Sequence, residues 1–232
     1  MRILAWNIRQ GGGSRLAGIA AALEAQNADV LVLSEYRGGE AGLRLRAMLA
    51  GIGFPWVSRS EPPPGRNGVL IAARSAFRDR GVVDATLPEP WKIVDAVFPG
   101  FRLTGVYMPN LRAKEPYWDR LIATLPGRAQ ASALVIGDFN TCRPFVDEPG
   151  SIDVTAHYLD KMEAIGFSDL WRKRFPEGRE YSWYSHRQNG FRIDHAFFSR
   201  RLAKRTGEIR YSHTEREARL SDHSPLVLDL AS

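Results

Sequence analysis

Amides, carboxylates, one phenol and one imidazole stand at the ends of apolar runs in six separate segments of this chain. ILAWN ends at Asn7, VLVLSE ends at Glu35, GVYMPN carries Tyr107 and Asn110, LVIGDFN carries Asp138 and Asn140, RID carries Asp194, and SDHSP carries Asp222 and His223. Singly, most have an ordinary explanation: Asp138 and Asn140 as turn formers, Glu35 as a partner for Arg37, Asp222 as the cap of a turn, Tyr107 as half-buried packing. Asp194 is harder to dismiss, because it interrupts an apolar run and a buried carboxylate needs a partner. His223 is the evident candidate. Taken as a set, carboxylate and amide oxygens with no paired cysteines, no HExxH pattern and few imidazoles are hard ligands, suited to Mg²⁺ or Mn²⁺ rather than zinc. Mg²⁺ is commonly held by one or two carboxylates together with substrate phosphate, so a phosphate ester is the expected substrate. GGGS at 11–14 lacks the GxxxxGK[ST] arrangement, which argues against nucleoside triphosphate hydrolysis of the P-loop type.

Side chains scattered over more than two hundred positions meet only if the elements that carry them share one rim. Short runs rich in Val, Ile and Leu predict strands at 3–6, 30–34, 69–72, 94–97, 103–107, 134–136, 193–198 and 225–230. That density suggests sheet packed on sheet. Between them lie helical patterns: Ser14 as a cap before Leu16, Ile19, Ala20 and Leu23, then 42–49, 115–125, and 154–165 with Asp153 as its cap. Helices interspersed with many strands indicate a layered α/β domain. The segments 60–68 and 143–151 read as irregular loops rather than linkers, and one domain over 1–232 is expected.

The chain has 232 residues, 44% hydrophobic and 25% charged, which excludes disordered, collagen-like and disulfide-scaffold classes. Its one cysteine, Cys142, and the lack of an apolar leader point to a reducing, cytoplasmic setting, and no apolar run reaches the ~20 residues of a membrane span. Between residues 172 and 210 there are eleven basic and four acidic residues, a surplus of +7 that exceeds the +6 of the whole chain. Such a segment is either a solvated face or an electrostatic footprint for a polyanion such as nucleic acid.

At these residues the sequence resembles the exonuclease III family of abasic-site endonucleases, within the endonuclease/exonuclease/phosphatase superfamily. The matching pieces are WNIR (6–9), VLVLSE (30–35), NGVLI (67–71), VYMPN (106–110), VIGDFN (135–140), the YSWY and GFRIDHAFFS block (181–199) and LSDHSPL (220–226), in the family's order and spanning nearly the whole chain. GDFN and SDHxP identify the superfamily. YxPN narrows it, since pancreatic deoxyribonuclease-like members carry a histidine where Tyr107 stands.

The resemblance implies a four-layer α/β/β/α sandwich, two mostly antiparallel sheets face to face with helices outside and an active site at one rim. It implies Glu35 as principal metal ligand with Asn7 beside it, and Asp222 at a second metal position, with one or two Mg²⁺ ions that Mn²⁺ can replace. Asp138 would activate the attacking water with Asn140 positioning it. His223, held by Asp194, would polarise the scissile phosphate, and Tyr107 would support a phosphate oxygen or the leaving group. Asn110, Trp183, Phe191, Arg192 and Ile193 would contact substrate, the apolar ones around a flipped abasic sugar. The implied enzyme is a monomer that cleaves duplex DNA 5′ to abasic sites, with 3′-5′ exonuclease or 3′-phosphatase activity besides. Two departures stand out: the loop from 183 to 192 is short for the family's bacterial members, and SEY replaces the usual QET. The alternative is the same centre acting on RNA, small nucleotides or other phosphate esters.

Overall fold

The computed structural model describes residues 1–58, 61–150 and 153–231; Ser60 and Ser151, at the edges of the two irregular loops, lie outside them. The strands in chain order are β1 (Arg2–Asn7), β2 (Val30–Arg37), β3 (Trp56–Val57), β4 (Asn67–Ala73), β5 (Arg78–Val82), β6 (Ile93–Phe98) and β7 (Phe101–Tyr107). They continue with β8 (Ala133–Asp138), β9 (Phe167–Asp169), β10 (Trp183–Tyr184), β11 (Gly190–Phe191), β12 (Asp194–Ser199), β13 (Thr206–Tyr211) and β14 (Leu226–Leu230). Among the described residues they form two six-stranded sheets, ordered β13-β14-β1-β2-β4-β3 and β5-β6-β7-β8-β12-β9, and a small β10-β11 hairpin. All eight predicted strands are present. Those missed are short or polar: β5 reads RDRGV and β13 reads TGEIRY, without the apolar run that marked the others.

Each sheet holds one parallel pair, β1 with β2 and β7 with β8, and all its other pairings are antiparallel. Side chains alternate along a strand, so each sheet buries both faces. Ile3, Ala5, Val30, Val32, Val69 and Ile71 meet Val94, Leu103, Leu134, Ile136, Ala196 and Phe198 in the core between the sheets. The outward set Leu4, Trp6, Leu31 and Leu33 packs on Ile19 and Leu23 of α1 (Leu16–Gln26) and Leu45 and Leu49 of α2 (Glu40–Gly51). On the far side Val106, Val135 and Phe197 pack on Tyr117, Trp118 and Leu121 of α3 (Glu115–Thr124) and Tyr158, Leu159 and Met162 of α4 (His157–Ala164). This is the α/β/β/α sandwich.

Two helix starts differ from expectation. A single turn of 3₁₀ helix at Gly13–Arg15 precedes α1, so Arg15 rather than Ser14 occupies its cap position. The 154–165 helix begins three residues late, because the Asp153 carboxylate accepts from Thr155 N (2.8 Å) and its hydroxyl (2.6 Å) and so closes a local turn instead.

Candidate active site

The parity of the inward-facing residues, carried to the strand ends, produces the site. Ile3 and Ala5 lead to Asn7, Leu103 and Gly105 to Tyr107, Leu134 and Ile136 to Asp138, and Phe198 and Ala196 back to Asp194. The polar residues are therefore the rim of the inter-sheet core. β12 is antiparallel to β8, so its first residue Asp194 pairs directly with Asp138 at the end of β8.

Glu35 needs a different device. On a regular β2 it would follow Leu31 and Leu33 to the helix-covered face. A bulge between Ser34 and Tyr36 interrupts the register, and Glu35 takes the left-handed conformation with φ 57°. Tyr36 then joins the outer core and Glu35 turns into the cleft. Three donors hold its carboxylate there: Asn7 Nδ2 (3.2 Å) on Oε1, and the Gln10 N–H (2.7 Å) and Asn67 Nδ2 (3.1 Å) on Oε2. Asn67, the first residue of NGVLI, is a site residue that sequence reasoning left unassigned. Arg37 Nε in turn donates to Asn67 Oδ1 at 2.9 Å, so Arg37 reaches Glu35 through an amide.

Asp138 is buried and accepts from Asn7 Nδ2 (2.9 Å) and the Asn140 N–H (2.9 Å). Gly137 before it sits at φ 143°, and a Cβ there would lie 2.0 Å from the Val106 carbonyl oxygen, which is why GDFN needs its glycine. Asn140, left-handed at φ 47°, donates its amide to Met108 O at 2.7 Å. Next to this lies His223, whose Nδ1 is 2.8 Å from Asp194 Oδ2. Burial would lower the imidazole, but the adjacent Asp194 carboxylate outweighs it and lifts His223 to about 9. Burial, reinforced by the Asp194 charge, pushes Asp138 up to about 7. Burial also raises the Tyr107 phenol, with the Glu35 charge adding to it, so the group stays a phenol at neutral pH.

Asn7, Glu35, Tyr107, Asp138, Asn140 and His223 line one cleft of about 550 Å³, together with Asn110, Trp183, Phe191, Ile193 and Asp222, and Asp194 stands behind His223. Trp183 packs against Phe191 with ring centroids 5.5 Å apart and the rings tilted by 47°, and its indole N–H donates to Asp222 Oδ2 at 3.3 Å. Lys114 also lines the cleft, as do Leu111, Cys142, Asp153 and Val154, which carried no site signal in the sequence.

Arg192 is placed differently from its expected role as a substrate contact. It alternates with Phe191 and Ile193, and since those two face the cleft it faces the interior. Its side chain is 0% exposed and donates to Asp147 Oδ1 (2.8 Å) and Asp169 Oδ2 (2.7 Å). Three other cations of the basic segment have partners within the chain, although most of the segment stays exposed. Arg172 pairs with Asp147, Arg174 donates to the Thr206 and Gly207 carbonyls, and Arg205 to those of Gly100 and Ala231. The exposed Arg187 lies in the turn of the hairpin that carries Trp183 and Phe191.

Residues 4–223 match the Endonuclease/Exonuclease/phosphatase family. The chain belongs to that family. A DNA-(apurinic or apyrimidinic site) endonuclease of Dictyostelium discoideum is 23% identical, the match covering 99% of this chain and 71% of the relative. Among solved structures, an AP endonuclease from Archaeoglobus fulgidus superposes with a TM-score of 0.86 at 23% identity, and the 3′-5′ exonuclease NExo from Neisseria meningitidis with 0.85 at 25%. Each match covers 100% of both chains. The family is one of divalent-metal-dependent phosphoester hydrolases.

Two groups of residues in the cleft fit a cation to different degrees. Asp138, Asp194 and His223 bring potential ligand atoms within 4.8 Å of one another, a cluster that could bind a metal, but an imidazole held protonated by a carboxylate offers a charge rather than a lone pair. Glu35, partly exposed, presents carboxylate oxygens suited to a hard cation, and Asn7 lies buried beside it with its Nδ2 on Glu35 and its Oδ1 accepting the Arg9 N–H.

Proposed function

We propose that this chain is a Mg²⁺-dependent DNA phosphodiesterase that incises duplex DNA 5′ to abasic sites and trims 3′ ends, as part of base excision repair. The observation that carries this reading is the pairing of a buried, high-pKa carboxylate, Asp138, with an Asp194-held imidazolium, His223, within one cleft. A base and a fixed cation so close together suit in-line attack of water on a phosphodiester. The AP endonuclease names of the relatives and the order of the motifs support DNA as the substrate, and a 3′ phosphatase form of NExo bound to a DNA hairpin supports action at 3′ ends.

Asp138 takes the proton of the attacking water, oriented by the Asn7 amide and the Asn140 N–H on its two oxygens. His223 binds a non-bridging phosphoryl oxygen, and the Tyr107 hydroxyl donates to a second oxygen or to the leaving group. Glu35 and Asn7 would hold Mg²⁺, with Asp222 the ligand for a second ion. The metal supplies Lewis-acid stabilisation of charge on the phosphoryl and leaving oxygens. Trp183, Phe191 and Ile193 form an apolar surface for the sugar.

The test uses two end-labelled duplexes, identical except for one stable abasic analogue, with Mg²⁺ and again with EDTA. Incision beside the analogue that needs Mg²⁺ is the expected result. If neither duplex is cut while a small phosphodiester is hydrolysed, DNA is the wrong substrate class.

A further inference from the structure

Asp194 opens β12, and on one side its backbone has no strand to pair with. The residue before it, Ile193, faces β8, since its carbonyl accepts from the Phe139 N–H at 3.0 Å. The N–H and C=O of Asp194 therefore point to the other edge of β12. Along that edge β9 pairs only with Phe197, Phe198 and Ser199, and it stops short of Asp194. Two buried peptide groups are thus left over at the residue that holds His223, and buried peptide groups require partners.

Two side chains take the place of the missing strand. Ser182, 0% exposed, accepts from the N–H groups of Asp194 (3.2 Å) and Ile193 (3.1 Å) on its Oγ, and its hydroxyl donates to Phe191 O at 3.4 Å. These bonds use both lone pairs and the one proton of a serine hydroxyl. The Ser182 carbonyl in turn accepts from the N–H of Ser224, the residue after His223, at 2.8 Å. From the opposite sheet, Tyr211 of β13 donates its hydroxyl to the Asp194 carbonyl at 2.6 Å. Ser182 thus ties Asp194 to the loop of His223, and Tyr211 ties it to the facing sheet. Neither side chain lines the catalytic cleft.

We propose that Ser182 and Tyr211 are positioning residues for the reaction. By fixing the Asp194 peptide from both ends they set the geometry of the Asp194–His223 pair, and with it the place where His223 meets the phosphoryl oxygen. This rests on the roles given above to Asp194 and His223. The far end of β12 supplies a comparison of like chemistry: Ser199 Oγ accepts from Ala133 N–H (2.9 Å) and donates to Ala131 O (2.6 Å), bracing the same strand away from the site.

The experiment measures kcat and KM on the labelled abasic duplex, or on bis-p-nitrophenyl phosphate if no duplex is cut. It compares the wild-type protein, S182A, Y211F, S199A, D194N, S182A/D194N and Y211F/D194N, each below its own unfolding midpoint. Misplacing a catalytic group by about 1 Å can cost ~100-fold, and each single variant keeps one anchor, so kcat is expected to fall about tenfold in S182A and in Y211F with KM within about twofold. S199A should unfold at a lower temperature yet keep kcat within about twofold of the wild type. In the two double variants there is no charged pair left to position, so kcat should match that of D194N alone within about twofold. An unchanged kcat in S182A or Y211F overturns the role of that residue, and losses that multiply with that of D194N overturn the bracing of Asp194. A loss of kcat in S199A equal to that in S182A also overturns it, since general loosening of β12 would then explain both. Y211F removes one hydroxyl and keeps the ring, so it decides the question even if S182A does not fold. D194N with wild-type kcat removes the assigned Asp194–His223 roles themselves, whereas an impaired D194N with multiplying losses removes only the bracing.

Discussion

Replacing Asp194 with Asn keeps an oxygen to accept the hydrogen bond from His223 Nδ1, now 2.8 Å from the carboxylate, but removes the charge. With the imidazole at about 9, roughly 97% of it is protonated at pH 7.5. Without the carboxylate the group returns to its ordinary 6.5, and burial takes it lower still, so about 9% at most remains charged. The proton population alone then lowers kcat/KM at pH 7.5 by tenfold or more. The alkaline limb of the pH profile moves from about 9 to below 6.5. Asp138 responds as well: the Asp194 charge helps to raise it, so the acid limb also shifts downward in D194N. The same interaction stabilises the fold by about 3 kcal/mol, since a pKa unit is about 1.4 kcal/mol. Because the folded-state value is raised, that contribution is complete below about pH 6.5 and disappears as pH rises through 9. The assay is kcat/KM on a labelled abasic duplex from pH 5.5 to 10 (a range of roughly one unit either side of the window), with thermal unfolding in EDTA at both extremes. A variant with wild-type kcat/KM at pH 7.5 and an unmoved alkaline limb would falsify the assigned pair.

Three further outcomes follow from the same geometry. Arg192→Met removes the cation hydrogen-bonded to both buried Asp147 and Asp169, leaving them Arg172 and the more distant Arg143, and should cost about 3 kcal/mol, seen as a drop in Tm of about 10 °C, with activity retained below the transition; an unchanged Tm would contradict the burial argument. Gly137→Ala sets a methyl against the Val106 carbonyl at a φ of 143°, so a loss of about 3 kcal/mol in urea unfolding and severe loss of activity are expected, and a stable, active variant would show that β8 ends differently. Glu35→Gln should raise the Mg²⁺ concentration for half-maximal activity by tenfold or more while leaving Tm in EDTA within about 1 °C, and an unchanged metal requirement would move the ion elsewhere in the cleft.

Much of this site was legible because it is the continuation of a local pattern. Runs such as LVIGD and ILAWN alternate inward and outward side chains, and a polar residue in the inward phase at a strand end has few places to go other than the rim of the core. Asp138, Asn7, Tyr107 and Asp194 were accessible in that way, and the order of the motifs supplied the family. Three things were decided only by tertiary structure. Glu35 lies in the outward phase of β2, and what turns it inward is a bulge set by pairing with β4, more than thirty residues away in the chain. Arg192 sits among cleft residues in sequence, yet its partners Asp147 and Asp169 are 45 and 23 positions distant, so no local signal marks it as internal. Most of the basic segment does lie at the surface, but that Arg172, Arg174 and Arg205 hold a carboxylate and carbonyls from distant parts of the chain is not written in their neighbours. Periodicity is written in neighbouring residues, and so the sequence by itself determines which strands exist and what they end in. The environment of a charge depends on which distant strand or loop is brought against it, and that is settled only when the two sheets close on each other.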